Sequence, residues 1–172
     1  METSIVSRET KHKDHVAGIV GQWAVERPDL DASPLLVLGR ISWLANAMEA
    51  ELRPPFAAKG LGNGDFDVLA ALRRTGRPFT LRHRDLTAAM LVTPGAVTKR
   101  VDRLVEKGYV ARAAADEDGR GQLVRLTRAG VRFVDRMIEV HMANEARMIG
   151  GLTDRERAQL ARLLGKLATS LG

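Results

Sequence analysis

Apolar residues recur at Val97, Val101, Leu104 and Val105, the i, i+4, i+7, i+8 spacing of one helix face, behind Thr93–Pro94 and ahead of Lys107–Gly108. Thr-Pro supplies a cap with proline at the first helical position, and Lys-Gly supplies a stop. The pattern predicts a helix with those four residues in the core and with Gly95, Thr98, Lys99 and Arg103 outside. Upstream, Val16, Ile19, Val20 and Trp23 predict a helix over about 9–26, ending before Arg27–Pro28. Ser33–Pro34 opens a longer one to about Ala58, with Pro54–Pro55 predicting a kink or early break. GLGNG at 60–64 is a loop, and DFDVLAALRR after it is a short helix with Phe66, Leu69, Ala70 and Leu72 inward. A short strand is expected around 77–80 and a further helix from Arg82 to Leu91.

Downstream, YVARA and QLVRLT are two β-prone runs around the polar, glycine-rich AADEDGRG, a hairpin. Thr127 caps a helix to about Ile149, Gly150–Gly151 ends it, and Thr153 with Glu156 forms a capping box for the last helix. That helix carries a stripe of Leu160, Leu163, Leu164, Leu167 and Leu171. Helix, short strand, helix, turn, helix, hairpin is the order of a winged helix-turn-helix, so the expected fold is mainly α with a small β-hairpin wing. We expect one domain over 1–172, with an N-terminal extension at 1–32, the winged helix-turn-helix at 64–127, and helical dimerisation segments at 33–60 and 128–172. The winged core is too small to bury both long terminal helices, which predicts a homodimer with two recognition helices about one DNA turn, roughly 34 Å, apart.

Charge points the same way. The net charge is +6, and residues 73–128 hold thirteen of the 27 cations but six of the 21 acids. Concentrated basicity suggests a polyanion partner. At the front of the 93–106 helix, Pro94 and Gly95 permit close approach to DNA, while Thr98, Lys99 and Arg103 can reach base edges or phosphates of a major groove. Arg120, in the hairpin turn, can enter a minor groove. The sober counterpart for the helix alone is a solvated basic face; the hairpin beside it is what favours double-stranded DNA.

These segments resemble the MarR family of bacterial transcription regulators, over about 33–171. The likeness is carried by GRI (Gly39 to Ile41), FDVLAALRR (Phe66 to Arg74), TPGAVTKRVDRLVEKGYVAR (Thr93 to Arg112) and DEDGRGQLVRLTRAG (Asp116 to Gly130). The family's wing usually reads Asp-Arg-Arg, and here Asp118–Gly119–Arg120 lacks one arginine. The resemblance implies a transcriptional repressor, and two recognition helices on half-sites one turn apart imply a pseudo-palindromic operator of roughly 16–20 base pairs. The extra N-terminal helix and WAVERPDLDASPLLVLGRI (Trp23 to Ile41) are similar to the urate-responsive branch of that family. That likeness implies a site for a small anion, urate or a related purine, formed by Trp23, Asp67, Arg100 and Arg112. Trp23 would stack on the planar ring, Arg100 or Arg112 would pair with its charge, and an Asp67–Arg100 ion pair would link the site to the DNA-reading helix. Each residue also has a plainer role: Trp23 in packing, Asp67 as a local cap or pair, Arg100 on a phosphate or Asp102, Arg112 on DNA.

Other function classes fit poorly. There is no cysteine, the histidines His12, His15, His83 and His141 are dispersed, and neither a nucleophile elbow nor a phosphate loop is present, so no enzyme and no cofactor are expected. His12 and His15 could form half of a metal site, but a frayed polar terminus explains them better, and no metal is expected. With no apolar run near the length of a membrane span, a cytoplasmic protein without membrane contact is expected. The alternative within DNA binding is a non-specific, nucleoid-type protein without small-molecule control, held by phosphates alone and weakened by salt on every sequence.

Overall fold

A computed structural model of the chain describes residues 14–62, 64–90, 94–113 and 122–171. Its contacts divide into two compact units, 1–49 and 50–172. In the first unit, α1 (His15–Glu26) and the start of α2 (Leu35–Ala57) meet where Val16 is buried and Gly39 has no side chain; a Cβ there would fall 3.0 Å from Val16 Cγ1. Asp14 caps α1 by accepting from the Ala17 amide at 3.2 Å and also pairs with Arg40. The Arg40 guanidinium holds the Asp14 carboxyl below the usual carboxylate range.

The second unit is built around α3 (Asp65–Arg74). Acids stand in its first turn and arginines in its last, as the helix dipole favours. Most of the helix is buried: Phe66, Val68, Leu69, Ala71 and Leu72 all face the core. It packs against α4 (His83–Met90), α5 (Pro94–Glu106), β3 (Leu123–Leu126) and α6 (Arg128–Met148), and the unit also holds β1 (Thr80–Arg82), β2 (Val110–Ala113) and α7 (Asp154–Leu171). The sheet is antiparallel in the order β1-β3-β2, with Val124 opposite both Leu81 and Arg112. Val124 and Leu126 point inward and Arg125 outward, the period-two alternation of a sheet covered on one face. Thr127 starts α6: its hydroxyl accepts from the Gly130 amide at 3.0 Å and donates to the Gly108 carbonyl at 2.7 Å.

Three expectations need correction. Val97, Val101 and Leu104 are fully buried, but Val105 is 38% exposed. It lies about 100° further round the helix than Leu104, past the edge of the apolar stripe. The Pro54–Pro55 pair does not end α2 early; the helix continues to Ala57, because the prolines remove two amide donors but keep their carbonyls, and the Ala58 amide donates to that of Pro54 at 2.9 Å. The strand expected around 77–80 is instead 80–82, directly against β3. The capping box is present, with the Thr153 amide donating to Glu156 Oε2 at 2.8 Å and the Glu156 amide to Thr153 Oγ1 at 3.4 Å.

Candidate nucleic-acid interface

Helix α5 has three faces. Val97, Val101 and Leu104 pack inward, and Gly95, Thr98 and Lys99 are exposed on the far side. Between them runs a third stripe, Arg100, Arg103 and Lys107, at i, i+3, i+7. This stripe meets the glycine loop before α3. A Cβ at Gly60 would lie 3.2 Å from Lys107 Nζ, one at Gly62 would lie 3.1 Å from Arg103 Nε, and one at Gly64 would fall 2.1 Å from Arg100 Cζ. Gly64 also has φ +73°, a left-handed conformation suited to glycine.

Arg103 therefore stands differently from its expected outward position. Its Nε lies 3.2 Å from both oxygens of Asp65, and its Nη2 donates to Oδ1 at 2.5 Å. Asp65 is fully buried and takes a further hydrogen bond from the Gly62 amide at 2.7 Å. The carboxylate raises the Arg103 pKa above its ordinary value, against the opposing effect of burial. Asp65 was not legible as a site residue, although an acid at a helix start beside a glycine loop was the available signal.

The remaining DNA-facing expectations divide. Pro94 opens α5, Gly95 and Lys99 are exposed, and Thr98 Oγ1 lies 3.2 Å from His83 Nε2 at the start of α4. The His83 amide donates to the Gln122 carbonyl at 2.9 Å, which ties α4 to the foot of the hairpin. Thr93 and Arg120, with the whole wing turn, lie outside the described residues, as does His12.

Of the four residues expected to hold an anion, Trp23 lies in the first unit and Asp67, Arg100 and Arg112 in the second. Trp23 is 46% exposed and borders a cavity of about 220 Å³ with Leu30, Pro34 and Leu35. Among the described residues no ion pair joins Asp67 to Arg100. Arg112 instead pairs with Asp102 on the outward side of α5. Asp67 is exposed and borders a larger cavity, about 480 Å³, between α3, α4 and α6. Phe66, Ala70, Met90, Val134 and Ile138 give it apolar walls, and Arg73, Arg74 and His141 are its polar groups. Arg73 is engaged with Asp135 at 2.7 Å. The His141 ring lies 5.6 Å from that of Phe56 and 5.2 Å from that of Phe66; its Nε2 is 3.1 Å from Glu145, and its buried Nδ1 has no hydrogen-bond partner among the described residues. Sequence reasoning missed Arg73, Arg74 and His141 here, because separate helices bring them together.

Among the described residues no helix is long and apolar enough to cross a membrane, and no group of three or more acidic or histidine side chains could hold a metal. A three-stranded sheet beside two helices, the second basic and carrying an open outer face, defines a winged helix-turn-helix protein. Residues 59–121 match the model of the MarR family. The chain is 33% identical over 156 residues to the HTH-type transcriptional regulator PecS of Dickeya dadantii, an overlap of 91% of this chain and 94% of that protein. The structure of a mutant Escherichia coli MarR complexed with operator DNA is similar, with a TM-score of 0.68 and 28% identity over 80% of this chain and 99% of that one. AbsC, a MarR family regulator of Streptomyces coelicolor, shares the fold, with a TM-score of 0.74 at 20% identity over 83% and 96% of the two chains. The chain belongs to the MarR family and is a DNA-binding transcriptional regulator.

Proposed function

We propose that the protein is a homodimeric repressor of a pseudo-palindromic operator, released from DNA by a small anion, with urate or a related purine the specific candidate. The observation that carries ligand control is the cavity between α3, α4 and α6, whose apolar walls, cationic rim and unsatisfied His141 nitrogen suit a planar anion with hydrogen-bonding edges. Arg74 supplies the accessible charge there, since Arg73 is held by Asp135. Operator binding falls to Gly95, Thr98 and Lys99 in the major groove and to Arg120 in the minor groove.

Of the residues that the resemblance implies, Trp23, Asp67, Arg100 and Arg112, Asp67 borders this cavity, and Arg112 is proposed to answer the anion through its pair with Asp102. Arg112 is the one with a direct route to DNA. An anion that draws Arg112 away leaves the Asp102 carboxylate uncompensated on the outward side of α5, where it repels phosphate. Dimerisation is supported by the exposed apolar side chains of the terminal helices, Leu160, Leu163 and Leu164 among them.

The test combines DNA and ligand. The chain has two tryptophans, so Trp43→Phe leaves Trp23 as the single reporter. Urate, xanthine and simple carboxylates are titrated against its fluorescence and against a complex with operator DNA. Saturable quenching with operator release, the release weakened in Arg74→Ala as well as in Arg112→Ala, is the expected result. Absence of release by every anion sinks ligand control, and equal affinity for operator and random duplex at all salt concentrations makes the protein a non-specific binder instead.

A further inference from the structure

The outward face of α5 can read a groove only if the helix holds its rotation about its own axis. The aliphatic contacts of Val97, Val101 and Leu104 keep α5 against the core, but such packing is non-directional. Asp65 and Arg103 supply direction. Two guanidinium nitrogens meet a carboxylate that is fully buried at the first residue of α3, and the Gly62 amide fixes that carboxylate from the loop side. Paired Arg–carboxylate hydrogen bonds set an angle as well as a distance. Glycines at 60, 62 and 64 give the stripe of Lys107, Arg103 and Arg100 room to lie against the loop.

We propose that Asp65 and Arg103 form a clamp that sets the rotation of α5, making Arg103 a positioning residue for DNA recognition and Asp65 its buried anchor. Arg103 then contacts neither base nor phosphate, and its charge is spent on Asp65. A residue fully removed from solvent thereby governs operator preference. The inference rests on α5 being the helix that reads DNA, and its test separates the two.

The full-length parent, Asp65→Asn and Arg103→Lys are compared in two measurements. The first is amide hydrogen exchange, which needs no DNA: both substitutions are expected to speed exchange along 94–106 while leaving α6 protected. The second is binding to operator and to random duplex. Each substitution is expected to weaken operator binding about tenfold or more, spread over all base pairs of the half-site, with the random-duplex salt slope unchanged. The double variant should bind no more weakly than the worse single one, because both break one interaction. Should Asp65→Asn lose its helical signal, Arg103→Lys, which keeps the charge and loses the paired geometry, carries the comparison alone.

Four results overturn the clamp: unaltered exchange in α5, faster exchange with operator binding intact, a loss of preference confined to one base pair, or a salt slope reduced by about 0.9, the signature of one lost phosphate contact. A parent that shows the expected exchange response but no preference for operator over random duplex leaves the clamp as a structural device and overturns α5 as the reading helix, and with it the recognition role.

Discussion

A methyl group at Gly130 would lie 2.0 Å from the carbonyl oxygen of Tyr109, a backbone atom held by its own hydrogen bond from the Thr127 amide at 3.0 Å. Neither side can yield cheaply. Gly130→Ala should therefore lower stability by about 1–3 kcal/mol, the usual range for forcing extra volume into packed structure, although alanine is the better helix former. A melting temperature equal to that of the parent would show that the start of α6 moves more freely than this packing allows. Nothing in the sequence distinguishes this glycine from others that meet open space, such as Gly165. Arg103 illustrates the same limit. Periodicity separated it from Val101 and Leu104, but Asp65 stands 38 residues away, and no local rule states which acid a half-exposed arginine will meet. Asp67 and Arg100 are the pair that the resemblance suggests, whereas the ion pairs described for α5 side chains are Arg103 with Asp65 and Asp102 with Arg112.

Helix boundaries were more legible than partners, because caps are written in consecutive residues. Thr127 and the Thr153–Glu156 box act where their spacing placed them. The flanks of α5 were less legible: two faces follow from hydrophobic alternation, but the third is defined by the glycine loop against which it lies. The capping box also carries a pH dependence. Hydrogen bonds from the Thr153 hydroxyl and amide hold the Glu156 carboxyl below the ordinary carboxylate range. A group with a lowered folded pKa contributes its stability above its unfolded value and loses it as pH falls through the folded value. Acidification from about pH 6 to about pH 3 should accordingly loosen the first turn of α7, seen as amide exchange at Asp154 to Arg157 that rises beyond its intrinsic rate. Glu156→Gln keeps an acceptor and removes the titration, so its exchange should lack that acid step. A step that persists in the glutamine variant would assign it to a carboxylate other than Glu156.

At the scale of the whole molecule, charge and apolar surface are separated along the chain, and both were visible before the fold was known. The cavity between α3, α4 and α6 was not, since its walls come from residues 66–74, 89–90 and 134–142, and only folding brings them together. The apolar stripe of α7 stays open, with Leu160, Leu163 and Leu164 each more than two-fifths exposed. For a regulator that reads two half-sites, covering that stripe with a second copy joins two recognition helices into one binding unit, and the second contact then forms at high effective concentration. Replacing Leu163 and Leu164 together by arginine should give a monomer in sedimentation at concentrations where the parent is a dimer. The winged unit should melt nearly unchanged, because neither leucine belongs to its buried core. Operator affinity should fall by about 10²–10⁴, the factor that linking two modest contacts provides, while binding to random duplex keeps its steep salt dependence because the basic segment is intact. A parent that sediments as a monomer, or an arginine variant that remains a dimer with full operator affinity, would place the interface on other helices and leave the stripe of α7 to a different partner.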